Sequence, residues 1–326
     1  MSVILGLDPR IHRLRAGWSG PTMTEKKGAV QGRMLEEISR ERSPAMNTYE
    51  NFTVRTDADG IALVTWDMPG KSMNVFTEEV MDELNAVVDA TVADTAVKGV
   101  VITSGKSTFS GGADLSMIKS MFTLYQQEKA ANPQTAAQKL FDLVGRMTGL
   151  FRKLETCGKP WVSAINGTCM GGALEMSLAC HGRVASNAKS VKIALPEVKV
   201  GIFPGAGGTQ RVARLADAQS ALQMMTTGQS LSASRAKAMN LVHQVVEPDQ
   251  LIPAAKQMIK DGLKPVAPWD EKGFKAPGGG IWRLPPHSSG RPLPRSCAAR
   301  PPGIIRARLP SSNASMKACR CLSIRH

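Results

Sequence analysis

Two segments of the chain place a glycine-rich loop directly between an apolar run and a helical pattern. They are "VVITSGKSTFSGGADL" at 100–115 and "VSAINGTCMGGALEM" at 162–176. A short continuous apolar run is typical of a strand buried on both faces, and such strands occur mainly in parallel sheets covered by helices. Because both loops lead from a strand to a helix, the pattern favours a layered α/β domain.

The flanking sequence continues the alternation of strands and helices. Runs at 51–56 and 61–67 surround the turn residues Asp-Ala-Asp-Gly and predict a β-hairpin. Thr77 precedes an apolar period of 3.6 residues and is expected to cap a helix there. We therefore predict an α/β domain at 46–262. Its other helices are predicted at 133–157, 173–180, 208–215, 217–226, 232–239 and 249–262.

The formal net charge of +14 is concentrated outside this domain. After a predicted linker at 263–282, residues 283–326 hold nine Lys and Arg side chains and no carboxylate. With no apolar period, this Arg/Pro-rich tail is predicted to be disordered, and its composition suits a natural basic tail or sequence translated out of frame. Residues 1–45 are also aperiodic and are predicted to form a disordered extension. The charge therefore does not identify nucleic acid as a partner of the domain.

Several classes of protein are excluded by composition. The longest apolar runs fall well short of the roughly 18 to 20 residues that a membrane helix needs. Six Cys residues without a secretory signal do not describe a disulfide framework, so a reducing, cytoplasmic compartment is predicted. The three Cys of the tail lack His neighbours at metal-binding spacing, and no metal site is predicted.

The two glycine-rich loops have a functional and a purely structural interpretation. Glycine allows a ligand to approach the backbone closely, and free N–H groups at a helix N-terminus favour negative charge. Two such groups converging on one oxygen would form an oxyanion hole. The alternative is that both loops are tight strand-to-helix turns chosen only for their geometry.

Two carboxylates lie among apolar residues close to these loops. Glu175 falls in the first turn of the helix after Gly172, where it is either buried and used or exposed and favourable to the helix dipole. Glu197 follows Pro196 inside "IALPEVKVGIFPG". Two half-buried carboxylates around one site would have pKa values pushed apart, so that one acts as a base while the other holds a proton.

These residues resemble the crotonase, or enoyl-CoA hydratase/isomerase, superfamily. The matching motifs are "FSGGADL" at 109–115, "INGTCMGGALEMSLACHGRVA" at 165–185 and "LPEVKVGIFPGAGGTQRVARL" at 195–215, with support from "DMPGKSMNVF" at 67–76. The resemblance covers about 48–262, and in detail it is to the N-terminal hydratase/isomerase part of the bacterial fatty-acid oxidation complex alpha subunit. It implies a crotonase-type spiral of ββα units with a helical C-terminal part.

The resemblance also implies roles for individual residues. Glu175 and Glu197 would form the acid/base pair, and the backbone N–H groups of Ala113 and Gly172 would form the oxyanion hole. Binding of the substrate is expected to involve further residues of the same motifs, namely Gly112, Asp114, Gly171 and Lys71.

The implied activity is the hydration of trans-2-enoyl-CoA to 3-hydroxyacyl-CoA in fatty-acid β-oxidation. No separate cofactor is implied, because CoA enters as part of the substrate. Conversion of 3-enoyl-CoA to 2-enoyl-CoA, a non-catalytic remnant and an RNA-binding crotonase relative are the alternatives. A thiolase beta subunit or further copies of the chain are the expected protein partners.

Two departures from the family pattern carry expectations of their own. No G-x-G-x-x-G pattern follows a strand between 216 and 326, so the chain is expected to stop before a 3-hydroxyacyl-CoA dehydrogenase domain. The interval from Glu175 to Glu197 is slightly long for a hydratase, and we expect "SNAKSVK" at 186–192 to absorb the extra length as a surface hairpin.

Overall fold

The computed structural model describes residues 47–277. The predicted disordered segments at 1–45 and 283–326 lie outside the described residues, as does the end of the predicted linker. Within the described range, strands β1 to β9 are Asn47–Thr48, Phe52–Thr56, Ile61–Trp66, Gly99–Ser104, Trp161–Ile165, Cys169–Met170, Gly182–Ser186, Ile193–Ala194 and Gln244–Val246. Helices α1 to α8 are Glu78–Ala93, Leu115–Ala131, Pro133–Glu155, Gly172–Ala179, Gly208–Leu215, Ala218–Thr227, Ala233–Ala238 and Leu251–Lys260.

Most strands belong to one sheet with the order β1-β2-β3-β4-β5-β7-β9. The first three strands are antiparallel, and the predicted hairpin is present as β2 and β3, with Val54 opposite Val64. From β3 onward every neighbouring pair is parallel. Parallel strands need crossover connections, and helices supply most of these. The strands β6 and β8 form a separate parallel pair.

The helix α1 shows how the local sequence produces this architecture. The Thr77 side chain accepts a hydrogen bond from the Val80 N–H over 3.3 Å, as its position before the apolar period predicts. Val80, Leu84 and Val88 recur on the buried face and are fully excluded from solvent. Each such side chain contributes roughly 1.5 to 3 kcal/mol through its burial.

The helix α2 follows the first glycine-rich loop, where the sequence predicts a helix without giving its bounds. It begins after Asp114, whose side chain accepts from the Ser116 N–H over 2.7 Å and caps the helix. None of the 17 residues of α2 is buried. Because no side of α2 enters the core, its sequence lacks a strong apolar period, and the length of the helix could not be predicted. The helix packs instead against α3.

The surface hairpin expected at 186–192 was a wrong prediction. The strand β7 pairs in parallel with β5 and β9, whereas β8 pairs in parallel with β6. The segment between β7 and β8 is therefore a connection from one sheet to the other. Ile193 and Ala194 are fully buried, so pairing with β6 covers apolar surface that a surface hairpin would expose.

The loops that follow β4 and β5 lie side by side. Ser110 forms an isolated bridge with Cys169, and Phe76 forms another with Ala113. Ligands of parallel sheets bind beyond the carboxyl ends of the strands, where such loops meet. The two glycine-rich segments predicted from the sequence are thus brought together at one end of the sheet. Among residues 47–277, no helix is both long and apolar enough to cross a membrane.

Candidate active site

A cavity of about 590 Å³ lies beside the two glycine-rich loops. Ala113, Gly171 and Gly172 line it from the loops, and Glu175 and Glu197 contribute carboxylates. Most of the remaining lining is apolar and comes from α2, α3 and the segment 196–206. Side chains of α2 and α3 in this wall include Met117, Ile118, Met121, Leu140, Leu143 and Met147. The cavity therefore combines a small polar centre with an apolar wall, as is typical of a ligand site.

Glu175 lies in the first turn of α4, a helix whose residues are all buried. Its side chain is 3% exposed. The N–H groups of Ala206 and Gly208 donate to its Oε1, each over 2.8 Å. The carboxylate is thus inside the protein and oriented by two backbone donors, which decides against a surface role at the helix dipole.

Glu197 begins the 3₁₀ turn Glu197–Val200 and is 9% exposed. Within the described part of the chain, its Oε2 is buried and has no hydrogen-bond partner. A Cβ atom built on Gly171 would lie 3.2 Å from its Oε1. An unpaired carboxylate oxygen is costly to bury, so a proton or a ligand at this position would satisfy it.

The backbone N–H groups of Ala113 and Gly172 are available at the same cavity. Neither donates to an acceptor among residues 47–277. Phe76 bonds to the flanking peptides, with its N–H donating to Gly112 and its carbonyl accepting from Asp114, so the Ala113 N–H stays free. The two donors are neighbours, because a Cβ on Gly172 would lie 3.6 Å from the Ala113 nitrogen.

The backbone around these donors requires glycine at two positions. Gly112 has φ +92°, and a Cβ there would lie 2.6 Å from the Met170 carbonyl oxygen and 3.1 Å from the Gly172 nitrogen. Gly171 has φ +55° and ψ −128°, which an L side chain rarely adopts. The two loops can approach each other this closely only because Gly112 and Gly171 have no side chains. The approach brings the N–H groups of Ala113 and Gly172 close together.

The electrostatics of the two carboxylates follow from their burial. The pKa of Glu175 is raised to about 7, mainly by loss of solvent; the Gly208 N–H opposes this rise, and the nearby Glu197 charge adds to it. Burial also raises the pKa of Glu197. Both carboxyl groups therefore titrate above the usual range of a glutamic acid, which suits groups that exchange protons near neutral pH.

Comparison with known proteins agrees with this geometry. A profile described as enoyl-CoA hydratase/isomerase matches residues 56–266. The chain belongs to the enoyl-CoA hydratase/isomerase family. It is also similar to the fatty acid oxidation complex subunit alpha of Shewanella frigidimarina, with 37% identity over 68% of this chain and 30% of that protein. The same subunit of Idiomarina loihiensis is 38% identical over 64% of this chain and 28% of that protein.

A solved enoyl-CoA hydratase from Bacillus anthracis shares the fold of the hydratase/isomerase chain. The TM-score is 0.54 with 26% identity, and the match covers 65% of this chain and 76% of that one. The predicted α/β crotonase fold and family are thereby confirmed. The chain spans about 30% of the length of the alpha subunits that it matches.

Of the remaining predicted site residues, one lines the cavity and three do not. Gly171 lines the cavity, whereas Gly112 supports the loop through its carbonyl. Asp114 caps α2, and the Ser116 hydroxyl and N–H lower its pKa. Lys71 is exposed and close enough to Asp114 to lower that pKa slightly. Their roles in substrate binding stay predictions.

Two features of this site were missed in the sequence. One is the apolar wall from α2 and α3, because the apolar period that predicted the helix at 133–157 does not show that Leu140, Leu143 and Met147 face a cavity. The other is the pair of N–H donors to Glu175 from the 204–208 segment, together with Arg211 beneath them. The motif "PGAGGTQR" at 204–211 signalled a special turn, but no local pattern indicates which group it contacts.

One histidine and two cysteines of the hydratase/isomerase domain, His181, Cys169 and Cys180, are buried and have structural rather than catalytic surroundings. His181 accepts from the Trp161 N–H at Nδ1 and donates from Nε2 to the Glu155 carbonyl, each over 3.1 Å. Burial raises the pKa of the Cys169 and Cys180 thiols to about 12, so both are unreactive at neutral pH. Within residues 47–277, no three His, Cys, Asp or Glu side chains cluster in a way that could hold a metal ion.

Proposed function

We propose that the chain adds water across the double bond of a trans-2-enoyl-CoA thioester and forms 3-hydroxyacyl-CoA. The observation that carries this proposal is one cavity that holds two buried carboxylates beside two free backbone N–H groups. Addition of water to a conjugated thioester needs both elements, because negative charge develops on the carbonyl oxygen while one proton leaves the water that attacks C3 and another is delivered to C2.

The free N–H groups of Ala113 and Gly172 would bind the thioester oxygen. Gly172 is also the first residue of α4, so the helix dipole adds positive potential at this point. In the addition step, electrons of the double bond move onto that oxygen and give an enolate-like state. Donors that are already in place stabilise the charge without reorganisation, which is the usual source of large rate gains in acyl chemistry.

Glu175 would act as the base and Glu197 as the acid. With a pKa of about 7, Glu175 is partly ionised near neutral pH; the two N–H groups on its Oε1 favour that form and leave Oε2 to take a proton from water as the hydroxyl adds to C3. Glu197 has no donor at Oε2 among the described residues, so this carboxyl favours the protonated form and can deliver its proton to C2. The base finally returns a proton to the acid through solvent.

The acyl chain and the CoA part of the substrate are assigned from the chemistry of the cavity wall. The apolar wall from α2 and α3 would hold the acyl chain, and CoA would enter only as part of the thioester, with no separate cofactor. Gly112, Gly171, Asp114 and Lys71 are proposed to contact the substrate near the loops. A thiolase beta subunit or further copies of the chain as partners, and a cytoplasmic location, stay predictions.

The test is hydration of crotonyl-CoA by the full chain, followed through loss of the enoyl-thioester absorbance. Glu175→Gln and Glu197→Gln are each expected to lower kcat by about 10²-fold, the usual scale for loss of a general base or acid. A 3-enoyl-CoA substrate serves as the comparison. Isomerisation without hydration would replace the proposal by the isomerase alternative, and no turnover of either substrate would support a non-catalytic protein.

A further inference from the structure

A buried ion pair lies directly behind the loop that holds Glu175. The Arg211 Nε–H donates to Oε1 of Glu155 over 2.9 Å, and its Nη2 donates to Oε2 over 3.3 Å. Arg211 is 6% exposed and Glu155 is 2% exposed. Glu155 ends α3, whereas Arg211 is in the first turn of α5, so the pair joins two elements on either side of the loop.

The remaining arm of the guanidinium binds the loop itself. Its Nη1 donates to the Ala206 carbonyl over 2.9 Å, and the Arg211 backbone N–H donates to the Gly207 carbonyl over 3.0 Å. Gly207 has φ +98°, and a Cβ at this position would lie 2.2 Å from Nη1. The loop is therefore wrapped tightly around the guanidinium, with no space for a side chain between them.

Ala206 links Arg211 to Glu175 through its own backbone. Its carbonyl accepts from Arg211, and its N–H donates to Oε1 of Glu175. Resting on the proposed function, we propose that Arg211, anchored by Glu155, is a positioning residue that presents the Ala206 and Gly208 N–H groups to Glu175. Arg211 makes no hydrogen bond to the carboxylate of Glu175 and does not line the described cavity. Its charge also lowers the pKa of Glu175 across space, an effect that a lysine at the same position retains.

Stability alone does not account for this pair. Replacing a buried ion pair by apolar side chains of similar volume is often neutral or stabilising, because two charges lose their hydration on burial. An apolar pair cannot replace the planar guanidinium of arginine, which donates to a carboxylate and to a carbonyl at the same time in a fixed geometry. Glu155 is further held by Arg152, whose Nη1 donates to its Oε2 over 2.5 Å.

The test compares Arg211→Lys with Asp270→Asn in the full chain. Lysine keeps the charge but cannot bind both Glu155 and the Ala206 carbonyl in this geometry. Asp270 accepts from Arg152 at the outer end of the same network, over 2.7 and 2.9 Å, and serves as the control. In Arg211→Lys we expect a similar KM for crotonyl-CoA and a kcat lower by about 10-fold or more, as misplaced catalytic groups produce.

The pH profile separates positioning from simple loss of folded protein. Without its two N–H donors Glu175 holds its proton more tightly, so the acid limb of kcat/KM in Arg211→Lys is expected to move up by about half a pH unit or more. Asp270→Asn should keep the wild-type profile. If the Arg211→Lys profile superimposes on that of the wild type, the positioning role is wrong.

A second measurement does not depend on activity. Hydrogen exchange of the Ala206 and Gly208 amides is expected to be at least about tenfold faster in Arg211→Lys than in the wild type and unchanged in Asp270→Asn. Unchanged exchange in Arg211→Lys would overturn the proposal. If Arg211→Lys does not fold, Glu155→Gln releases the same anchor and is measured in the same two ways. If exchange is faster in Arg211→Lys but the wild type does not hydrate crotonyl-CoA, the positioning role stands and the proposed function is wrong.

Discussion

A Cβ atom on Gly171 would lie 3.2 Å from Oε1 of Glu197, so the backbone of one loop directly limits the position of this carboxylate. Gly171 also adopts φ +55° with ψ −128°, a combination that is strained for any residue with a side chain. Gly171→Ala is therefore expected to displace both Glu197 and the Gly172 N–H and to lower kcat/KM for crotonyl-CoA by about 10²-fold.

The chain offers a matched control for this substitution. Gly145 lies within α3 with no atom within 4 Å of an added Cβ. Gly145→Ala should leave activity unchanged and raise the melting temperature slightly, because alanine is favoured over glycine in a helix by about 1 kcal/mol. Equal activity of both variants would show that Gly171 does not determine the geometry of the site.

Replacing Glu175 by glutamine is expected to stabilise the protein at neutral and alkaline pH. Burial raises the pKa of Glu175 to about 7, so the folded state disfavours ionisation, and stability falls as pH rises from about 4.5 to about 7. Glutamine removes this loss. The gain in free energy of unfolding should grow across that interval and level off near an upper limit of about 3 kcal/mol.

The measurement is urea denaturation of wild type and Glu175→Gln between pH 4.5 and pH 8, a window set by the reference and folded pKa values. Glu79→Gln is the control, because hydrogen bonds that its carboxylate accepts from its own backbone N–H and from the Thr77 hydroxyl lower the pKa of this exposed residue. A lowered pKa gives the opposite sign, with stability lost only as pH falls below about 4.5, so Glu79→Gln should show no trend within this window. A pH-independent difference for Glu175→Gln would contradict the burial argument.

Local sequence predicted those features that depend on neighbouring residues. The cap at Thr77 involves a contact three residues away and is confirmed. The pairing of Arg211 with Glu155 spans 56 residues and could not be read from either motif. Similarly, the bounds of α2 were not predicted, because its apolar side chains face a cavity rather than the core, which removes the strong period that buried helices show.

The apolar wall is expected to select for acyl length. Leu143 lines the cavity from α3. Leu143→Gln should raise KM for a long-chain enoyl-CoA several-fold and leave KM for crotonyl-CoA nearly unchanged, since each buried methylene contributes about 0.8 kcal/mol. The control is Phe141→Ala, at a residue of the same helix that is 72% exposed and absent from the cavity wall. Parallel changes for both substrates would place the acyl chain elsewhere.

His181 is expected to make the fold sensitive to acid. Burial lowers its pKa, and the neutral ring joins the start of β5 to the end of α3 by accepting from Trp161 and donating to the Glu155 carbonyl. Because the unfolded chain binds the proton more readily, this stabilisation is complete above about pH 6.5 and is lost as pH falls through the folded pKa.

His181→Gln should therefore reduce the difference in melting temperature between pH 7.5 and pH 5.5, both measured by thermal denaturation at about 0.15 M salt. His243→Gln is the comparison, because burial and the Arg183 charge lower the pKa of His243 to about 4 and its Nδ1 accepts from the Arg183 N–H over 3.1 Å. An acid sensitivity that only His243→Gln abolishes would assign the effect to His243 and contradict the prediction for His181.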